Sequence, residues 1–142
     1  MATYTISAAN IKAKISEEVS LAADEAYAED ATSLYDSIVV TSKDDGLVGR
    51  MIDDAIRKLV KAVSDIAVYT SGTVVTFTVP DFDSTNMSTA LSDEIDRYAA
   101  LSACTDIFKM RKPDRAPQYE IKAQEAMENV IRYLRTRKAP TR

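Results

Sequence analysis

Tyr98-Ala99-Ala100-Leu101-Ser102-Ala103-Cys104-Thr105-Asp106-Ile107-Phe108 is apolar or small nearly all the way round a helix. A helix without a polar face has to be enclosed by other elements. This stretch therefore predicts a central helix, and the rest of the chain has to supply what surrounds it. Leu91 and Ile95 extend the apolar pattern upstream, and Asn86 or Ser88 is the expected N-cap.

Three amphipathic segments are candidates for the surround. Leu47, Val48, Met51, Ile52, Ala55, Ile56, Leu59, Val60 and Val63 repeat at the spacing of a core-facing helix. On its other face Asp53–Arg57 and Asp54–Lys58 are acid-before-base pairs at i,i+4, each contributing ~0.3–0.5 kcal/mol of helix support. Tyr119, Ala123, Ala126, Met127, Val130, Tyr133 and Leu134 form a second stripe, with Pro117 in its first turn and Arg132, Arg135, Arg137 and Lys138 in its last. Ile11, Ile15 and Val19 form a narrower third stripe behind the cap Ser7, which predicts an outer helix over 7–24 packed on one side. Ala31, Leu34, Tyr35 and Ile38 suggest a short extra helix.

One region reads as β. Ala67-Val68-Tyr69-Thr70 precedes Ser71-Gly72, and Thr73–Val79 alternates, with Val75, Phe77 and Val79 on one face and Val74, Thr76 and Thr78 on the other. The Ser-Gly pair predicts a hairpin, unless the preceding helix runs on to Tyr69 and leaves a single strand. An isolated two-stranded ribbon is marginal in water and exposes an unpaired edge, so a partner is expected there.

The resulting fold class is mainly α: a bundle of four to five helices, with a β-hairpin or single strand inserted before the two C-terminal helices. The 142 residues, 46% hydrophobic and 28% charged, suit a single domain. Its helical core is expected over 7–138, its hairpin over 67–79 and a basic tail over 139–142. No apolar run approaches the ~20 residues of a membrane span. Met1–Thr5 lacks the pattern of a secretory signal, so a soluble, intracellular protein is expected.

Composition excludes several chemistries. With no His and one Cys, Cys104, the chain can build neither an internal disulfide, nor a Cys/His zinc site, nor a Ser-His-Asp or Cys-His centre. Cys104 has no basic neighbour at i±3 or i±4 and reads as an inert core thiol. Asp81-Phe82-Asp83-Ser84-Thr85 matches the D-x-D-x-T loop of Mg²⁺-dependent phosphatases, but that loop needs a parallel βαβ sheet, and a capped turn is the simpler reading. As a Ca²⁺ loop it lacks the sixth-position Gly and the twelfth-position Glu. The expectation is a protein that is not an enzyme and carries no cofactor or metal.

Charge is unevenly placed. Residues 1–108 hold 8 basic and 18 acidic residues, and residues 109–142 hold 10 and 4. The parts carry −10 and +6, a pattern suited to a charged partner or to end-to-end contact between copies.

The order of elements is informative: outer helices, an amphipathic helix beginning Asp44-Asp45-Gly46-Leu47-Val48-Gly49-Arg50-Met51-Ile52-Asp53-Asp54-Ala55, a β excursion, an apolar helix ending Phe108-Lys109-Met110-Arg111, and a last helix. Over roughly residues 30–138 this resembles the head–tail connector (adaptor) proteins of tailed bacteriophages and prophages. The resemblance implies a structural subunit of the virion, assembled in the host cytoplasm into a ring of about a dozen copies. Such a ring joins the portal to tail or stopper proteins, lines the DNA channel and can touch packaged DNA non-specifically. By that analogy Tyr69, Val75, Phe77 and Val79 lie at contacts with other subunits or the stopper, and Arg132, Arg135, Arg137, Lys138 and Arg142 at the portal. The alternative is a small cytosolic helical binding or regulatory protein whose basic C-terminus engages nucleic acid or an acidic partner.

Overall fold

A computed structural model describes residues 2–30, 45–71, 74–79, 84–111 and 113–135. Its elements are β1 (Ala2–Thr5), α1 (Ala8–Asp30), α2 (Asp45–Ala62), β2 (Ala67–Ser71), β3 (Val74–Phe77), α3 (Ser84–Arg111), a 3₁₀ turn (Pro113–Arg115) and α4 (Ala116–Leu134). The expected short helix at 31–38 and the tail at 139–142 lie outside the described residues.

The apolar 98–108 stretch sits inside α3, and α3 touches each of the other three helices as well as β1. Ala99, Ala103, Cys104 and Phe108 are wholly buried. The alanines let neighbouring helices approach closely, and Phe108 packs against Tyr119 of α4 with ring centroids 4.7 Å apart. Thr105, the buried polar residue of this core, donates its hydroxyl to the Leu101 carbonyl at 2.9 Å. The fold class is thus mainly α, four helices among the described residues with a small antiparallel sheet.

The three stripes face inward as their spacing requires. Ile11, Ile15 and Val19 of α1 are buried while Ala13, Lys14 and Glu17 are exposed. In α2, Val48, Met51, Ile52, Ala55, Ile56 and Leu59 are buried, and so is Val63 just beyond it, whereas Leu47 is exposed. In α4, Tyr119, Ala123, Ala126, Val130 and Leu134 are buried, and Pro117 occupies the first turn. Each fully buried Ile or Leu contributes roughly 1.5–3 kcal/mol. Two boundaries move: α1 runs on to Asp30, and α3 begins at Ser84, ahead of both expected caps.

The sheet departs further from expectation. The hairpin forms, with β2 antiparallel to β3 and an irregularity between Tyr69 and Ser71. A third strand, β1, was not anticipated; it pairs antiparallel with β3 on the other side, Tyr4 opposite Val75 and Ala2 opposite Phe77. Strand order is β1-β3-β2, so β3 is central and the sheet's two edges are β1 and β2. Val75 and Phe77 point into the core, 1% and 0% exposed. Their assignment to inter-subunit contacts is therefore corrected: a strand paired on both sides, with these side chains buried, has neither edge nor apolar face left to offer. The opposite face carries exposed Thr3, Thr5 and Val68 and the half-buried Val74 and Thr76.

Candidate interaction surface

β1 is held from below. Buried Tyr4 donates its hydroxyl to Asp96 Oδ1 on α3. Burial raises the Asp96 pKa above the ordinary carboxylate value, against the opposing pull of the Tyr4 hydrogen bond and of Lys14. The Tyr4 phenol is pushed up by its own burial and then by the Asp96 carboxylate. A second such tie joins α4 to α1: Tyr119 donates its hydroxyl to Glu18 Oε2 at 2.9 Å. These contacts tie the sheet to α3 and the outer helix to α4, the base on which the surface elements stand.

On that base the expected interface residues separate. Tyr69 lies on β2, 37% exposed, with Arg57 and Asp53 of α2 close enough to influence its hydroxyl. Val79 and Arg135 come together, although 56 positions apart in the chain. They line one open cleft of about 350 Å³, with Ala62, Asp65 and Ile66 from the α2–β2 junction and Ile131 from α4. Arg135 closes α4, its backbone N–H donating to the Ile131 and Arg132 carbonyls at 3.1 and 3.2 Å. Arg132 is exposed and lies over the Tyr133 ring, 5.5 Å from its centroid. Arg137, Lys138 and Arg142 lie outside the described residues. Val75 and Phe77 belong to the core.

Val68 is the surface residue that sequence reading passed over. It is 65% exposed, an apolar side chain on an edge strand where proteins usually place charge. The alternation signal was present, since Ala67 and Tyr69 share the inner face and Val68 must take the outer one. Leu21, Met110 and Ile121 are also exposed, which is ordinary for apolar residues on a helical surface.

The Asp81–Asp83 loop lies outside the described residues. The strand before it is the centre of an antiparallel sheet, not the parallel strand that the phosphatase reading needs. Among the described residues no group of three or more His, Cys, Asp or Glu is placed to hold a metal ion. Nor is any described helix long and apolar enough to cross a membrane.

Cys104 is wholly buried, and that burial, together with the charge of Glu18, pushes its thiol up to about 12. The thiolate is the reactive form. An aromatic disulfide reagent at pH 7–8 is therefore expected to leave the native chain unmodified over hours and to titrate one thiol per chain at once in denaturant. Rapid labelling of native protein would show that α3 opens locally.

No protein-family model, curated protein or solved structure matches this chain.

Proposed function

We propose that the protein is a structural subunit of a phage head–tail connector ring, placed at the head–tail junction between the portal and the tail or stopper proteins. The observation that carries this reading is the sheet: β1 and β2 lie on opposite sides of β3, and neither pairs with a further strand among the described residues. Both edges are free of charged residues and of proline. A molecule with two different sticky sides makes head-to-tail contacts, and such contacts close into a ring when the rotation allows. The charge division of the sequence supports the same arrangement, and exposed Arg132 and Arg135 at the end of α4 suit the portal or packaged DNA as neighbours.

Light scattering over a concentration series tests it. A species of about a dozen subunits, growing in with concentration, is the expected result. A strict monomer at every concentration, combined with salt-dependent DNA affinity, would favour the alternative of a small helical binding module instead.

A further inference from the structure

We infer that the outer edge of β2 pairs in parallel with β1 of a second copy, Val68 level with Thr3 of that copy, so that the sheet runs on from subunit to subunit. The inference rests on the assembly reading above and names the contact that reading lacks. It follows from where the backbone groups point.

Thr78 N–H donates to the Ile66 carbonyl at 2.7 Å. In an antiparallel ladder the hydrogen-bonding direction alternates residue by residue. Val68 and Thr76 therefore turn toward each other, and Ala67 and Tyr69 turn their N–H and C=O groups to the outer edge. The Ala67 N–H is already used, donating to the Val63 carbonyl at 3.0 Å. Among the described residues that leaves the Ala67 carbonyl, the Tyr69 N–H and the Tyr69 carbonyl open. The same alternation, carried across β3, turns Val75 and Phe77 toward β1. Tyr4 and Ala2 then face inward, and Thr3 and Thr5 present their backbone groups outward.

The two sets match in one orientation. In a parallel ladder one residue donates to the carbonyl before its opposite number and accepts from the N–H after it. With Thr3 of the second copy opposite Val68, its N–H meets the Ala67 carbonyl and its carbonyl meets the Tyr69 N–H. Thr5 N–H then meets the Tyr69 carbonyl. All three open groups of β2 are satisfied, and the occupied Ala67 N–H is not called upon. A two-fold antiparallel pairing of β2 with β2 about Val68 would call on the occupied Ala67 N–H, and one about Tyr69 makes two bonds where the parallel arrangement makes three and leaves the Ala67 carbonyl unmatched.

Direction and facing agree with this. Both β1 and β2 run antiparallel to β3, so they are parallel to each other within a subunit, and the small rotation between neighbours in a ring of about a dozen keeps them close to parallel between subunits. Thr3, Thr76 and Val68 form one row across the sheet, on the outer face, and Thr3 of the next copy continues it beside exposed Val68.

Cysteine pairing reads the contact directly. Within one chain positions 3 and 68 flank Thr76 at two strand spacings, roughly 9–10 Å, beyond the ~7 Å reach of a disulfide. Buried Cys104 does not compete. Under mild oxidation, an equal mixture of Thr3→Cys and Val68→Cys chains is expected to give a disulfide heterodimer, and the double variant a ladder of multiples. Thr3→Pro deletes an outward N–H without removing a bond inside the subunit. It should weaken self-association on the order of tenfold, as expected for losing one hydrogen bond and its fit, with the helical signal intact.

Three results would overturn the pairing. One is a Val68→Cys homodimer as the main product; another is undiminished assembly of Thr3→Pro; the third is a ring by light scattering that yields no 3–68 disulfide. These leave the ring reading standing. Monomer at every concentration with no disulfide removes both.

Discussion

Phe77→Ala is expected to lower the free energy of unfolding by about 3–5 kcal/mol, the cost of deleting a wholly buried aromatic side chain and leaving the space behind. Phe77 is 0% exposed on the central strand of the sheet, with β1 and β2 fixing its backbone on both sides, so the site has little freedom to collapse. Phe77→Asp adds an unpaired buried charge, and the sum consumes most of a stability that is ordinarily about 5–15 kcal/mol. That variant should lose its helical circular dichroism or be recovered insoluble. Val68→Lys on the opposite face of the neighbouring strand should stay within about 0.5 kcal/mol of the parent by urea denaturation. A folded, fully helical Phe77→Asp would place the sheet outside the core and restore this side chain as a surface contact.

Tyr4→Ala is the second large effect, again about 3–5 kcal/mol, because it removes a buried ring and the hydroxyl that serves Asp96. Tyr4→Phe isolates the hydrogen bond and should cost about 1–3 kcal/mol. The pH dependence carries the sign. Asp96 has its pKa raised in the folded chain by burial, so the folded state holds the proton more tightly than the unfolded one. Its contribution is fully present below the unfolded carboxylate value near ~4 and is lost as pH rises through the folded value. Urea midpoints compared with Asp96→Asn between pH 3.5 and 7 should show the parent declining relative to the variant. In Tyr4→Phe the bond that draws the Asp96 pKa down is gone, and the decline should extend to higher pH. A parent and an Asn variant with parallel profiles would mean that Asp96 is solvated as in the unfolded chain.

The helices were legible because their evidence is local and repeated. Each stripe of α2 and α4 offers six or more apolar positions at 3.6-residue spacing, and α3 is decided by the 98–108 stretch, apolar or small nearly all round. β1 was not legible for the opposite reason. Four residues are too few to establish a period, and what makes Ala2–Thr5 a strand is pairing with Val74–Phe77, about 70 positions away in the sequence. Missing β1 also misplaced the candidate site. Alternation in 73–79 shows which side chains share a face, yet which face is buried depends on what lies beneath the sheet. Which strand is the edge depends on whether a third one exists. The cleft between Val79 and Arg135 is a meeting of two segments that only the packing of α4 beside the hairpin base brings together. Arg135 was readable as part of a charge pattern, but the cavity it borders was not.

Pairing of β1 with β3 also sets a timetable during synthesis. Tyr4 is made before Val75, which it faces, about 70 residues behind it; at ~5–20 residues per second the ribosome takes about 4–14 s to deliver it. Throughout that interval the strand and the Ile11, Ile15 and Val19 stripe of α1 have no sheet and no α3 to cover them. The longer-range contacts, Tyr4 to Asp96 and Glu18 to Tyr119, close only after α3 and then α4 follow, which favours a late collapse of these elements over stepwise folding in chain order.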